Sequence, residues 1–136
     1  MDVKFSFEDG GKTALGHIYR PIAKVTFHSP KVEKAVDVWM VVDTGADYTI
    51  LPRHISKKLR ISFKSDCIKD KTFGVGGNQT IYFYKSKLKA TIGSIERKIP
   101  IAFFDNNEIP PLLGRLGFLE SFDTEFLKTH IVIFKD

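Results

Sequence analysis

Apolar and polar positions alternate along most of this chain with a period of two, which places successive side chains on opposite faces of a strand. Six runs have β character: Lys4–Phe7, Ala14–Phe27, Val36–Val42, Ile81–Ile92, Lys98–Phe104 and His130–Phe134. They are rich in Val, Ile, Phe, Tyr and Thr, and Gly, Pro, Asn and Asp punctuate them as at turns. Asp9-Gly10-Gly11 reads as a hairpin tip, and Pro21 inside the second run marks an edge, a bend or a bulge. Only Arg53–Leu59, just after Pro52, and Arg115–Phe122 look helical, and both are short. No repeat, low-complexity tract or linker interrupts the pattern. The expectation is one all-β domain over residues 1–136 with two small helices.

Composition narrows the function classes. A chain of 136 residues with 43% hydrophobic content can bury a real core, but it cannot hold two catalytic lobes. Its longest uninterrupted apolar stretch, Val38–Val42, falls far short of the roughly 20 residues of a membrane span. Met1-Asp2-Val3-Lys4 lacks the apolar segment of a secretory signal, so a cytoplasmic location is expected. The net charge of +5 raises the question of nucleic acid. However, Lys85, Lys87 and Lys89 alternate with Tyr84, Ser86, Leu88 and Ala90 as the solvated face of a strand, and Lys57, Lys58 and Arg60 resemble the outer side of a helix. No nucleic-acid partner is expected. Cys67 is the only cysteine, which excludes an internal disulfide and a thiolate metal cluster. It reads as a small apolar filler or a free surface thiol. His17, His28, His54 and His130 are too scattered to form a local ligand pair, and neither metal nor cofactor is expected.

Three segments carry candidate chemistry. In the first, the apolar run Trp39–Val42 enters Asp43-Thr44-Gly45-Ala46-Asp47 directly. A carboxylate at the end of a buried strand is costly unless it is paired or neutralised, and the glycine lets backbone approach it closely. Either Asp43 caps a turn of the Asx kind, or the fold holds a carboxylate there for chemistry. The second is Phe73-Gly74-Val75-Gly76-Gly77-Asn78, followed by the alternating Thr80–Tyr84. It lacks a Gly-Lys-Ser/Thr ending and a following helix, so it is no phosphate loop. It suits either an ordinary hairpin turn or a mobile hairpin whose backbone lies on a ligand. The third is Pro110-Pro111-Leu112-Leu113-Gly114-Arg115, in which an arginine that cannot shed its charge requires an anionic partner.

Taken in order, these segments resemble the retroviral-type aspartic proteases, the retropepsin-like family, over roughly residues 20–134. Asp43-Thr44-Gly45-Ala46-Asp47 is similar to that family's catalytic loop, Gly74-Val75-Gly76-Gly77 to the tip of its flap, and Leu112-Leu113-Gly114-Arg115 to the motif before its C-terminal helix. Arg20-Pro21 entering a strand fits the cellular members. The chain departs from the family at Leu116, where Asp or Asn is common, in a longer tail over Phe122–Phe134 that could form an extra hairpin, and in its 20 additional N-terminal residues.

The resemblance implies a small closed β-barrel of the acid-protease type, with one or two short helices and a flap hairpin. It implies an aspartic endopeptidase with Asp43 as the catalytic residue, supported by Thr44, Gly45 and Ala46. Gly45, Asp47, Ile50, Leu112 and the flap residues Phe73, Gly74, Val75, Gly76 and Gly77 would meet an extended peptide. Asp47 and Arg115 would form a structural pair. The mechanism needs two carboxylates and the chain has one Asp-Thr-Gly, so the expected partner is a second copy of the same chain in a two-fold dimer. The alternative is a peptide-binding or dimerisation module of the same fold with weak catalysis.

Overall fold

The computed structural model describes residues 2–74 and 77–136. Its strands are β1 (Asp2–Ser6), β2 (Glu8–Thr13), β3 (Gly16–Arg20), β4 (Ile22–His28), β5 (Val36–Val42), β6 (Ile50–Leu51), β7 (Cys67–Gly74), β8 (Gly77–Ile92), β9 (Ile95–Phe104), β10 (Leu112–Leu113), β11 (Asp123–Leu127) and β12 (Ile131–Lys135). Two short helices, α1 (Arg53–Lys58) and α2 (Phe63–Asp66), lie between β6 and β7. Among the described residues no helix is long and apolar enough to cross a membrane.

The largest sheet has the order β4-β5-β10-β6-β9-β8-β7, and a further pairing of β4 with β8 closes it on itself. The all-β fold expected from the sequence is therefore present as a ring-like sheet. It is less regular than a barrel, because β6 and β10 contribute only two residues each. The long β8 makes closure possible. It follows β7 in a hairpin from Cys67↔Tyr84 to Gly74↔Gly77, shifts register against β9 between Phe83 and Lys87, and reaches β4 at Thr26↔Thr91.

Alternation explains what fills the ring. Ala23, Val25 and Phe27 of β4 and Val38, Met40 and Val42 of β5 point inward and are buried, whereas Lys24, Asp37 and Trp39 face out. On β8, Leu88, Ala90 and Ile92 are buried while Lys87 and Lys89 are exposed, as the lysine periodicity requires. Each large side chain so buried contributes roughly 1.5–3 kcal/mol relative to exposure.

Several local expectations need correction. Asp9-Gly10-Gly11 is not a hairpin tip: it lies within β2, at a register shift between Asp9 and Gly11, and the β2–β3 turn is at Ala14-Leu15. The run Ala14–Phe27 is two strands, which part at Pro21. The strand expected over Lys98–Phe104 begins earlier, at Ile95. In place of a helix over Arg115–Phe122 there are turns and one 3-10 turn, Leu119–Ser121. Gly117 sits at φ +71°, outside helical space, and a Cβ there would come 2.5 Å from Pro100 Cδ.

The two ends of the chain form a separate three-stranded sheet, β1-β12-β11. The longer tail is a β11–β12 hairpin, and the N-terminal segment adds β1 to its far side, with Val3 opposite Phe134 and Phe5 opposite Val132. Phe134 and Val132 are fully buried and join this sheet to the main core.

Candidate active site

Asp43 stands where β5 ends, and three consecutive backbone groups hold that end. Val41 N–H donates to the Pro111 carbonyl (2.9 Å), Val42 N–H to Pro21 (2.9 Å) and Asp43 N–H to Leu113 (3.0 Å). β10 lies parallel to β5 with Leu113 beside Val42, so the third segment is threaded directly along the strand that delivers the carboxylate. Beyond Asp43 the chain turns tightly. Ala46 N–H donates to the Asp43 carbonyl (3.1 Å), and Gly45 N–H to Asp43 Oδ1 (3.0 Å). A Cβ on Gly45 would stand 3.3 Å from that same oxygen, so glycine leaves the carboxylate uncrowded. Asp43 itself is half-buried, and Thr44 and Gly45 are exposed.

Residues far along the sequence close the loop. Arg115 N–H donates to the Ala46 carbonyl (3.0 Å), and Leu116 N–H to that of Asp47 (2.9 Å). The Arg115 guanidinium donates from Nη1 to the Thr44 carbonyl (3.0 Å) and from Nη2 to the Asp47 carboxylate. Asp47 and Arg115 are thus joined, although both are solvent-exposed, so the pair fixes geometry more than it adds stability. Gly114 permits this approach: a Cβ there would come 2.1 Å from the Tyr48 carbonyl oxygen. Thr49, to which the sequence assigns no role beyond flanking the loop, is fully buried and accepts the Gly114 N–H on Oγ1 at 3.1 Å, while its carbonyl accepts from Ala102.

A carboxylate at a strand end, a glycine turn against it and an arginine clamp behind it form one connected unit. The aspartyl protease family matches residues 25–115, which contain the whole loop, the β7–β8 hairpin and the Gly114-Arg115 motif. The chain belongs to the aspartyl protease family. No curated protein matches it in sequence. Among solved structures it is similar to the crystal structure of a retropepsin-like aspartic protease from Rickettsia conorii, at 19% identity and a TM-score of 0.65, over 98% of each chain. At that identity the likeness establishes the retropepsin-like fold.

Within this member of the aspartyl protease family, Ile50 and Leu112 are cross-strand partners. They belong to a small apolar cluster with Ile81, Ala102 and Phe104, apart from the main core. Leu116, at the position where an acid or amide is usual, lines an apolar cavity of about 160 Å³ with Tyr48, Phe83 and Ala102. The β7–β8 hairpin, the flap that the resemblance implies, is paired out to Phe73↔Asn78 and Gly74↔Gly77, and Val75 and Gly76 lie outside the described residues. Cys67 is buried, and burial, with the Asp66 charge second, pushes its thiol up to about 11. It therefore stays protonated near neutral pH and offers no nucleophile.

Proposed function

We propose that this chain is an aspartic endopeptidase that acts as a homodimer, with water activated between the Asp43 carboxylates of two copies. The observation that carries this reading is the placement of Asp43. It ends a strand held by Pro21, Pro111 and Leu113, and only one of its oxygens is engaged by Gly45 N–H among the described residues. One carboxylate of the pair, ionised, takes a proton from water as its oxygen adds to the peptide carbonyl. The other, protonated, donates to that carbonyl oxygen. Collapse then breaks the C–N bond, and the departing nitrogen takes a proton. Two like charges about 3 Å apart cannot both stay ionised, so a shared proton follows from the symmetry itself.

In this reading Thr44 links the two loops across the axis, and Gly45 and Asp47 meet the substrate backbone. Ile50 and Leu112 line side-chain pockets. The hairpin carrying Phe73, Gly74, Val75, Gly76 and Gly77 closes over an extended peptide, held by strand-like hydrogen bonds. The apolar cluster around Ile50 favours apolar residues beside the scissile bond.

The test is hydrolysis of a peptide library by the wild type beside Asp43→Asn. Asparagine keeps the shape and removes the ionisable group, so cleavage is expected to vanish while the circular dichroism spectrum is unchanged. Cleavage by Asp43→Asn near the wild-type rate excludes the mechanism. A wild type that binds peptides but turns none over is a binding module of the same fold.

A further inference from the structure

Helix α1 begins without a cap of its own. The first N–H groups of a helix have no partner inside it, and Pro52, at the cap position, has no side-chain acceptor to offer them. The acceptors come from residues 105–107, in the link between β9 and β10. Arg53 N–H donates to the Asn106 carbonyl (3.0 Å), and His54 N–H donates to Asn107 Oδ1 (2.8 Å), with His54 Nδ1 3.2 Å from the same oxygen. Arg53 Nη1 also meets Asp105 at 3.2 Å, an exposed pair that adds little.

The same link supplies a wall of the apolar cluster around Ile50. Asn106 turns the chain with its own side chain, Oδ1 accepting the N–H groups of Glu108 (3.0 Å) and Ile109 (3.2 Å). Ile109, half-buried, packs with Leu112 against Ile50, Ile81 and Phe104. Pro110 and Pro111 follow with φ fixed by their rings, and Val41 N–H holds the Pro111 carbonyl. These contacts close a circuit. From Ile50 the chain runs through Pro52 to the start of α1, where hydrogen bonds cross to Asn106 and Asn107. It returns through Ile109 to Leu112, which faces Ile50 across the sheet. Strand pairing pins one end of the 105–111 link, and the joint with α1 pins the other.

We propose that Asn107 is a positioning residue of the substrate pocket. By accepting the first-turn N–H of His54 it seats the link on α1, and so sets how far Ile109 stands from Ile50 and Leu112. The inference rests on the endopeptidase reading above, in which Ile50 and Leu112 line a pocket for an apolar side chain beside the scissile bond. Asn107 acts through Ile109 and not on the peptide itself. A large apolar side chain is bound by contact with every wall, so it loses most when one wall drifts. A methyl group reaches fewer walls and loses little. The joint therefore governs selectivity more than rate.

The experiment measures kcat and KM of the full chain on two peptides that differ only beside the scissile bond, one with Phe and one with Ala. The wild type is expected to prefer the Phe peptide. Asn107→Ala is expected to shrink that preference by about fivefold or more, through KM more than kcat. Asn107→Asp keeps an acceptor oxygen and is expected to restore it. Ser62→Ala, which removes the cap of α2, is expected to lower the melting temperature similarly while leaving the preference unchanged. If Asn107→Ala does not fold, Asn107→Ser, with a shorter acceptor, carries the same expectation. A wild type without the preference, a folded Asn107→Ala that keeps it, or a loss that Asn107→Asp does not restore overturns the positioning role and leaves the protease reading standing. A wild type that cleaves neither peptide sinks that reading, and binding of the same two peptides then decides the joint. A preference for Phe that Asn107→Ala retains overturns it, and one that shrinks upholds it.

Discussion

Two aspartates in this chain make the same local bond. Asp9 Oδ1 accepts the N–H of Gly11 at 2.8 Å, and Asp43 Oδ1 accepts that of Gly45 at 3.0 Å. Each is a carboxylate bonded to a glycine amide two residues on, the ordinary geometry of an Asx turn. Their surroundings differ. Asp9 is met from its own hairpin, where His17 Nε2 lies 2.5 Å away and a Cβ on Gly11 would meet none of the described residues. Asp43 is closed from residues 111–116, almost 70 positions downstream, by two carbonyls, a glycine without room for a Cβ and an arginine. The local motif makes a turn, and only the long-range closure makes a candidate site. Substitutions that remove that closure should hurt far more than equivalent ones in the β2–β3 hairpin.

The sharpest contrast sets Gly114 against Gly11. In Gly114→Ala the new methyl would lie 2.1 Å from the Tyr48 backbone oxygen, which cannot swing aside as a side chain can. The cost should reach or exceed the roughly 1–3 kcal/mol of an overpacked core, with hydrolysis lost because the Arg115 segment is pushed off the loop. Gly11 sits at φ +84° with open space around its Cβ position. Gly11→Ala should cost about 1–2 kcal/mol from backbone conformation alone, confined to the hairpin, and should spare hydrolysis. Thermal melts with peptide assays check both. Equal activity losses would mean that the two turns share their role.

Next comes Arg115 against His17, the side chains that attend the two loops. Arg115→Lys keeps the charge but cannot span the Thr44 carbonyl and the Asp47 carboxylate together. Because the pair is exposed, stability should fall by no more than about 1 kcal/mol. A displaced loop can cost about a hundredfold in rate, and kcat/KM should drop on that scale. His17→Ala should leave kcat/KM unchanged. An Arg115→Lys enzyme with wild-type kinetics would show that backbone bonds alone hold the loop.

The same contrast explains what could be read from the sequence. Strands of the ring were legible because one face of each is buried, so period two is enforced along β4, β5 and β8. β2 was not: Glu8–Thr13 carries no apolar alternation, and pairing with β3 makes it a strand. β11 shows in the sequence only as half of a possible extra hairpin over Phe122–Phe134, not as an alternating run, since Asp123-Thr124-Glu125 is polar and its apolar residues lie at the exposed edge. α2 has only four residues, and its signal is the small one of Ser62 accepting from Ser65 N–H. In the candidate site, an aspartate after an apolar run and an arginine beside a glycine announce themselves by chemistry that must be satisfied. Thr49 does not: a threonine after a turn is unremarkable until its hydroxyl is seen to hold a glycine 65 positions away.

The smallest expected effect is the pH response of Asp9, which the comparison requires to stay local. The Gly11 N–H, with His17 second, holds the Asp9 carboxyl below its ordinary value. The charged form is therefore favoured in the folded hairpin. The stability it lends is complete above the ordinary carboxylate value of about 4 and drains away as pH falls through the depressed folded value. Because Asp9 is exposed, water screens the effect, and it should loosen the hairpin without unfolding the ring. The readout is the cross-strand NMR contact between Gly11 and Ile18, which face each other in the β2–β3 register. In the wild type it should weaken as acid protonates Asp9, identically at every protein concentration, because the loop is closed within one chain. In Asp9→Asn the contact should be weaker from the start and flat with pH over the same range. Acid sensitivity that survives in Asp9→Asn would place the titrating group elsewhere. A midpoint that moves with dilution would tie this hairpin to the dimer after all, and would erase the distinction between a turn that is merely made and one that is closed from afar.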